Sequence, residues 1–343
     1  MVATRYLLLV TKPYSFSILE PVQQAIREAS SGEVRWYVAA AARTRESPGD
    51  RIETNAEVMD FNPDAVIVPG NVVPHFWPGL KVQIFHGLGE EKKGHYRITG
   101  FFDLYCTPGP FMTGRFNGLA AKKGHFLVRE TGWPKLDRLD LSTSIKRKKR
   151  SLGLNPDRPV ILYAPTFSPK YSSADDLLST IKSMLHVPYQ WIVKFHDLMD
   201  KTTVSEFKAL QCERLRVLDT NDILPAMEAS DVLVTDTSSV AYEYLFLDRP
   251  LITYRATSRI DKGINIMQPD ALFGAIERSI ADPAEFASNR EFYRKQLHPY
   301  RDGKSSRRVI RAVEEVLESG AAKRLRPKPI NWYRKKQIQR MFP

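Results

Sequence analysis

Residues 229–254 read ASDVLVTDTSSVAYEYLFLDRPLITY, and the order of residue types in this stretch decides the fold. Val232-Leu233-Val234 is a short apolar run with two β-branched residues. It ends abruptly in Thr235-Asp236-Thr237-Ser238-Ser239, the pattern of a buried parallel strand entering a turn. Residues 240–247 contain neither Gly nor Pro and set their apolar side chains on one helical stripe, so a helix should follow at once and stop at Asp248-Arg249-Pro250. Leu251-Ile252-Thr253-Tyr254 then starts the next strand. A strand-loop-helix-strand unit of this kind offers free N–H groups and a partial positive charge at the helix start, and Ser238 and Ser239 add hydroxyl donors, a combination suited to a phosphate. The same serines also serve simply as helix caps, and the pair alone does not separate the two roles.

The rest of the chain repeats this grammar. In the second half, residues 160–163, 191–197 and 215–218 read as strands, and with the two above they make a five-strand pattern. In the first half, residues 5–10, 34–39, 65–68, 81–85, 101–106 and 126–128 are strand-like, and residues 18–29 have helical periodicity. Strands alternating with helices predict doubly wound parallel sheets, with ligands at the carboxyl ends of the strands. Those ends carry the chemistry. His86-Gly87 opens a glycine-rich, charged loop with Lys92 and Lys93; it is either a reactive site or a solvated loop. Residues 131–137 read TGWPKLD. Thr166 follows the strand at 160–163. Strand alternation at residues 192–196 would put Lys194 and His196 on one face, unless Lys194 snorkels from a sheet edge.

With 343 residues the chain is long enough for two domains with full cores. Boundaries are expected at 1–150 for an N-terminal domain and 151–304 for a C-terminal one, with 305–343 a closing helix and basic tail, because the run 146–150 and Asn155-Pro156-Asp157-Arg158-Pro159 have linker chemistry. No apolar run reaches the roughly 20 residues of a membrane span, and the N-terminal apolar segment is short for a secretory signal, so a cytoplasmic protein is expected. Cys106 and Cys212 form neither a disulfide framework nor a metal spacing and read as small buried hydrophobes. The net charge of +12 is local: residues 146–150 contribute five positive charges and residues 321–343 eight, with no acid among them, leaving the remainder near neutral. That distribution argues against a broad nucleic-acid-binding face and for local anionic contacts. The tail also carries Leu325, Ile330, Trp332, Tyr333, Ile338, Met341 and Phe342, so it is expected either in an anionic membrane interface or docked on the body.

Taken in order, His86-Gly87 with Lys92-Lys93-Gly94, Gly132-x-Pro134-Lys135-x-Asp137, Tyr163-Ala164-Pro165-Thr166, Lys194-x-His196, Thr235-Asp236-x-Ser238-Ser239 and Asp302-Gly303-Lys304-Ser305-Ser306 resemble the CDP-glycerol glycerophosphotransferase family of teichoic-acid type enzymes. The resemblance spans residues 80–310. It implies an α/β GT-B fold, two Rossmann-like domains facing each other across a cleft, with the nucleotide held mainly by the second. It also implies transfer of glycerol phosphate, or ribitol phosphate, from a CDP-alditol to the hydroxyl of a lipid-linked or saccharide acceptor during cell-surface polymer synthesis, with release of CMP. On this reading His86 is the general base, since an imidazole accepts a proton at neutral pH. His196, Lys194, Thr166, Asp236, Thr237, Ser238 and Ser239 hold the donor, and Gly87, Lys92, Lys93, Pro134, Lys135 and Asp137 form the acceptor side. The chain departs from the family's pattern at Leu88-Gly89, Asp197 and Thr237. Without the long N-terminal extension of the large polymerases, it is expected to be a short primase-like or single-domain-pair form. No Asp-x-Asp motif stands at a strand end, and Asp219-x-x-Asp222 leads into a helix, so no metal is required, with Mg2+ an optional partner. The expected location is the inner face of the cell membrane. Two other classes fit parts of the same pattern: another GT-B enzyme, such as a capsule or lipopolysaccharide glycosyltransferase or a nucleotide-sugar 2-epimerase, and a non-catalytic membrane- or nucleic-acid-binding protein whose function is the tail.

Overall fold

Thirteen strands order the described residues of the computed structural model, which are 3–29, 32–43, 49–89 and 96–343. All strand pairs between them are parallel, as expected when helices cover both faces of a sheet. Two units result, Met1–Arg138 with Lys295–Pro343, and Leu139–Arg294.

The first unit holds β1 (Thr4–Val10), β2 (Gly32–Val38), β3 (Arg51–Ile52), β4 (Ala65–Val68), β5 (Leu80–Gln83), β6 (Leu104–Thr107) and β7 (Leu127–Glu130), in the order β3-β2-β1-β4-β5-β6-β7. Leu7 to Val10 are fully buried, which explains the unbroken apolar run at the start of the chain. Helix α1 (Ser15–Ala29) leaves β1 one turn earlier than its periodicity predicts and carries Pro21 inside it. An aromatic core fills one face of this sheet, with Phe85, Tyr105, Phe116 and Phe126 in mutual ring contact.

In the second unit β8 (Val160–Tyr163), β9 (Gln190–Val193), β10 (Leu215–Val217), β11 (Val232–Thr235), β12 (Leu251–Tyr254) and β13 (Ile264–Ile266) follow the order β10-β9-β8-β11-β12-β13, the same winding as the first. Each sheet therefore reverses direction once, between β1 and β4 and between β8 and β11, and the crevice at such a point is where an open α/β sheet binds ligands. The quoted stretch folds as expected up to a detail. After β11, the helix is α-helical only over Val240–Tyr244 and tightens to a 3-10 turn at Leu245–Leu247, ended by Asp248 in the left-handed region at φ 50°. The edge strands β3 and β13, two and three residues long, are too short to leave a periodic signal and add to the strands expected from sequence.

The unit boundaries differ from those expected at 150 and 304. The basic run forms a helix (Ile145–Ser151) that belongs to the second unit, because its cations are paired there: Lys148 with Asp140 and Glu228, Lys149 with Asp231, and Lys146 with Asp157. Its anionic contacts are thus the protein's own carboxylates. Residues 295–304 return to the first unit, where His298 and Tyr300 bond Trp133 and Glu130. A C-terminal helix (Ser305–Ser319) packs against α1, and a last one (Trp332–Met341) docks on the same unit through Ile338 and Phe342. Cys106 is buried as expected, whereas Cys212 is exposed on the loop before β10.

Candidate functional site

At the turning point of the second sheet, Asp236 follows β11 and is almost fully buried. Its Oδ1 accepts the Thr166 N–H at 2.8 Å, and its Oδ2 accepts the Ser173 N–H and Oγ–H, each at 2.9 Å. Tyr163, the last residue of β8, exchanges a 2.8 Å hydrogen bond with the same Ser173 hydroxyl. One carboxylate thus braces the whole loop 164–173 and sets the position of Thr166. Burial pushes the Asp236 carboxyl up to about 6, against the opposing pull of these hydrogen bonds.

Thr237, Ser238 and Ser239 come next, each partly exposed. Ser239 takes the N-cap position of the short helix, yet no side chain caps that helix. The Ser239 side chain is therefore not a cap; instead the Ala241 N–H donates to the Ser238 carbonyl at 3.3 Å and the Tyr242 N–H to the Ser239 carbonyl at 3.1 Å.

β9 ends at Val193, so strand alternation does not extend to Lys194 and His196: Lys194 is buried and His196 exposed. The two nonetheless line one groove of about 450 Å³ at the carboxyl ends of β9 and β10, with Asp197, Leu218, Thr220 and Asn221 among its walls. The Lys194 ammonium donates to the Phe195 carbonyl and lies 3.9 Å from Asp197 Oδ1. His196 Nδ1 accepts the Leu198 N–H at 3.1 Å, which leaves the ring proton on Nε2, and its ring lies 4.4 Å from that of Phe167 on the braced loop. Thr166 is thus tied to Asp236 by a hydrogen bond, Lys194 and His196 share a groove, and Phe167 joins the two through its ring contact with His196.

In the first unit, β5 stops at Gln83 and the chain turns through Phe85, fully buried with φ 60°, before His86. His86 is partly exposed, its ring 5.5 Å from Tyr14 at the end of β1, while Gly87 is buried. Burial raises the Tyr14 phenol above its usual pKa. Trp133 and Pro134 are buried after β7, and Lys135 carries its Nζ 5.3 Å from the Trp133 ring centroid. Asp137 is not directed at an open surface: its two oxygens accept the N–H groups of Ser305 and Ser306, at 2.9 and 2.6 Å, and so cap the helix that starts at Ser305. Lys92 and Lys93, with His95, lie outside the described residues. Trp133, His298, Ser173 and Tyr14 were not singled out by sequence, since their roles come from partners far along the chain and leave no local pattern.

Among the described residues no group of three or more His, Cys, Asp or Glu side chains converges to hold a metal ion. Asp219 pairs with Lys208 and Asp222 accepts the Leu224 N–H, both structural uses. No helix among the described residues is long and apolar enough to cross a membrane.

A family model described as CDP-Glycerol:Poly(glycerophosphate) glycerophosphotransferase matches residues 90–315. That span takes in every strand-end motif above except the loop at His86, which stands just before it. The chain is 29% identical over 176 residues to the teichoic acid poly(glycerol phosphate) polymerase of Bacillus spizizenii, covering 48% of this chain and 43% of that one. It is 30% identical over 178 residues to the teichoic acid ribitol-phosphate primase of the same organism, 47% of this chain and 45% of that. The matches thus span about half the length of these relatives. A solved structure of the wall teichoic acid polymerase TagF superimposes with a TM-score of 0.70 at 15% identity, covering 93% of this chain and 90% of that one, and shares the two-sheet GT-B fold.

Proposed function

Because the chain belongs to the CDP-glycerol glycerophosphotransferase family, we propose that it transfers glycerol phosphate or ribitol phosphate from a CDP-alditol to an acceptor hydroxyl in the synthesis of a cell-surface polymer, with release of CMP. The observation that carries this reading is the family match over residues 90–315, which runs through the braced loop at Thr166, the groove at His196 and the serines after β11. Relatives named for both glycerol and ribitol phosphate keep both alditols as candidates.

Two sets of groups carry the proposed chemistry. In the second unit, the Ser238 and Ser239 hydroxyls, Thr166 and the His196 imidazole are assigned to the pyrophosphate, with Lys194 adding charge. In the first unit, His86 takes the proton from the acceptor hydroxyl. The acceptor oxygen then forms its bond to the outer phosphorus, and the bond from that phosphorus to the bridging oxygen breaks. CMP leaves with the bridging oxygen and its negative charge, which the donors of the second unit stabilise. Mg2+ carried by the pyrophosphate would enter as part of the substrate.

The acceptor is assigned to the inner membrane face, with the tail as the contact. The last helix and its flanks bury Ile338 and Phe342 and leave Ile330, Trp332, Tyr333 and Met341 exposed among Lys336 and Arg340, the mixture of cations and interfacial aromatics that suits an anionic bilayer. A lipid-linked acceptor fits that placement.

Incubation with CDP-glycerol and with CDP-ribitol, with and without lipid-linked or saccharide acceptors, should release CMP in at least one acceptor-containing reaction. In a thermal-shift panel CMP and CDP should stabilise the protein more than UDP. Stabilisation by UDP alone would move the reading to a glycosyltransferase or a 2-epimerase on the same fold, and no nucleotide response would favour a binding protein.

A further inference from the structure

We propose that Trp133 and His298 are positioning residues that hold the His86 loop in register from behind. The proposal rests on the reading of His86 as the base. Phe85 is a non-glycine residue in the left-handed region, at φ 60°, directly before His86, a conformation that persists only where surrounding structure holds it. Its ring is fixed edge-on against Phe116 at 5.1 Å. Its carbonyl oxygen accepts the indole N–H of Trp133 at 3.1 Å. That bond spans from the end of β5 to the end of β7 and pins the peptide that carries His86. Trp133 is fully buried, so it reaches no substrate itself.

Trp133 is held in turn. Its backbone N–H donates to Nε2 of the buried His298 at 2.7 Å, which requires Nε2 to carry no proton. The approach depends on Gly132, at φ 83°: a Cβ there would run into Ser305 Oγ and stand 3.1 Å from His298 Nε2. Four residues after Trp133, Asp137 ties the same segment to the helix beginning at Ser305. The C-terminal return of the chain thus supports the TGWPKLD segment, and that segment supports the peptide before His86.

Trp133→Phe removes the indole donor together with the ring atoms that the smaller phenyl does not replace. It should lower kcat by about tenfold to a hundredfold, the range for a misplaced catalytic group, with the donor KM within about twofold. In a His86→Ala background the same change should add less than about twofold, because residues acting as a unit are not additive. With selectively labelled histidine, the His86 ring resonances, assigned by their loss in His86→Ala, should shift in Trp133→Phe. An equal loss of rate with and without His86, or an unmoved His86 signal together with a normal kcat, overturns the proposal. If no CDP-alditol is turned over by the native protein, the reaction reading fails while the ring signal still decides the positioning. Should Trp133→Phe not fold, His298→Gln, which keeps an acceptor, should preserve the native His86 signal and His298→Leu should shift it; identical spectra for the two would equally overturn the proposal.

Discussion

His86 and His196 occupy strand ends in different units, and the roles assigned to them fail in different ways when removed. His86→Ala should lower the transfer rate by about 10²- to 10⁴-fold, the range for a positioned acid-base group, while CDP-alditol still binds. His196→Ala and Ser238→Ala should weaken donor binding as well as turnover, because their contacts are to phosphate already present in the ground state. Steady-state kinetics with calorimetric donor binding checks this, and near-normal transfer by His86→Ala would move the base to another residue. Asp236 makes a separate prediction from its burial. Its carboxyl titrates near 6 in the folded protein, above its ordinary value of 3.8. The folded state therefore holds the proton more tightly, and the associated stability is fully present below pH 3.8 and lost as pH rises through 6. Between pH 5 and 7 the native protein should lose roughly 1 kcal/mol relative to Asp236→Asn, read as the difference between their urea-unfolding free energies at the two pH values. Parallel curves would show that Asp236 titrates normally.

Among the elements, the helix Ser305–Ser319 depends on a cap that is not its own. Lys304 stands at its N-cap position without a capping side-chain bond, and the orphan N–H groups of Ser305 and Ser306 are satisfied by Asp137. Asp137→Ala should cost about 1–2 kcal/mol of stability, measured by denaturant unfolding, through the lost cap and the two N–H groups left buried. An unchanged midpoint would mean that the helix stands without this cap. The Gly-x-Pro-Lys-x-Asp and Asp-Gly-Lys-Ser-Ser motifs, far apart in the sequence, meet here as one structural joint. The helix after β11 is the opposite case. It is short and has no cap from the Ser239 side chain, and the N–H groups of Ala241 and Tyr242 turn back to the Ser238 and Ser239 carbonyls.

Over the whole molecule, the positive charge divides into a neutralised part and an available part. The three lysines of residues 146–150 pair with acids of the second unit, while the tail of the first unit presents Lys336 and Arg340 on its exposed surface with Trp332 and Tyr333. At about 1 kcal/mol per basic residue near an anionic surface, reduced by salt screening, a few such cations with two interfacial aromatics suffice for reversible binding. Deleting the tail would confound the test, because Phe342 packs against Tyr37 and Trp77 in the core. Trp332→Ala combined with Lys336→Glu and Arg340→Glu leaves Ile338 and Phe342 in place. This variant should lose co-sedimentation with phosphatidylglycerol vesicles and keep the thermal shift with CMP. Retained vesicle binding would rule out the tail as the membrane contact.

The winding of both sheets, and the placement of reactive residues at strand ends, follow from the sequence alone. Apolar runs such as 7–10 and 232–234, and stop signals such as Asp248-Arg249-Pro250, act over a few residues and are therefore legible there. What each strand-end residue does was decided by the tertiary structure. Asp236 reaches Ser173 across 63 positions, Trp133 reaches His298 across 165, and Asp137 reaches Ser305 across 168. Asp, Ser and His at strand ends serve equally well as braces, caps and ligands, because all three uses draw on the same short polar side chain next to free backbone groups. Only the partner distinguishes them. The fold supplies that partner from a distant part of the chain, and it makes Asp236 and Asp137 braces.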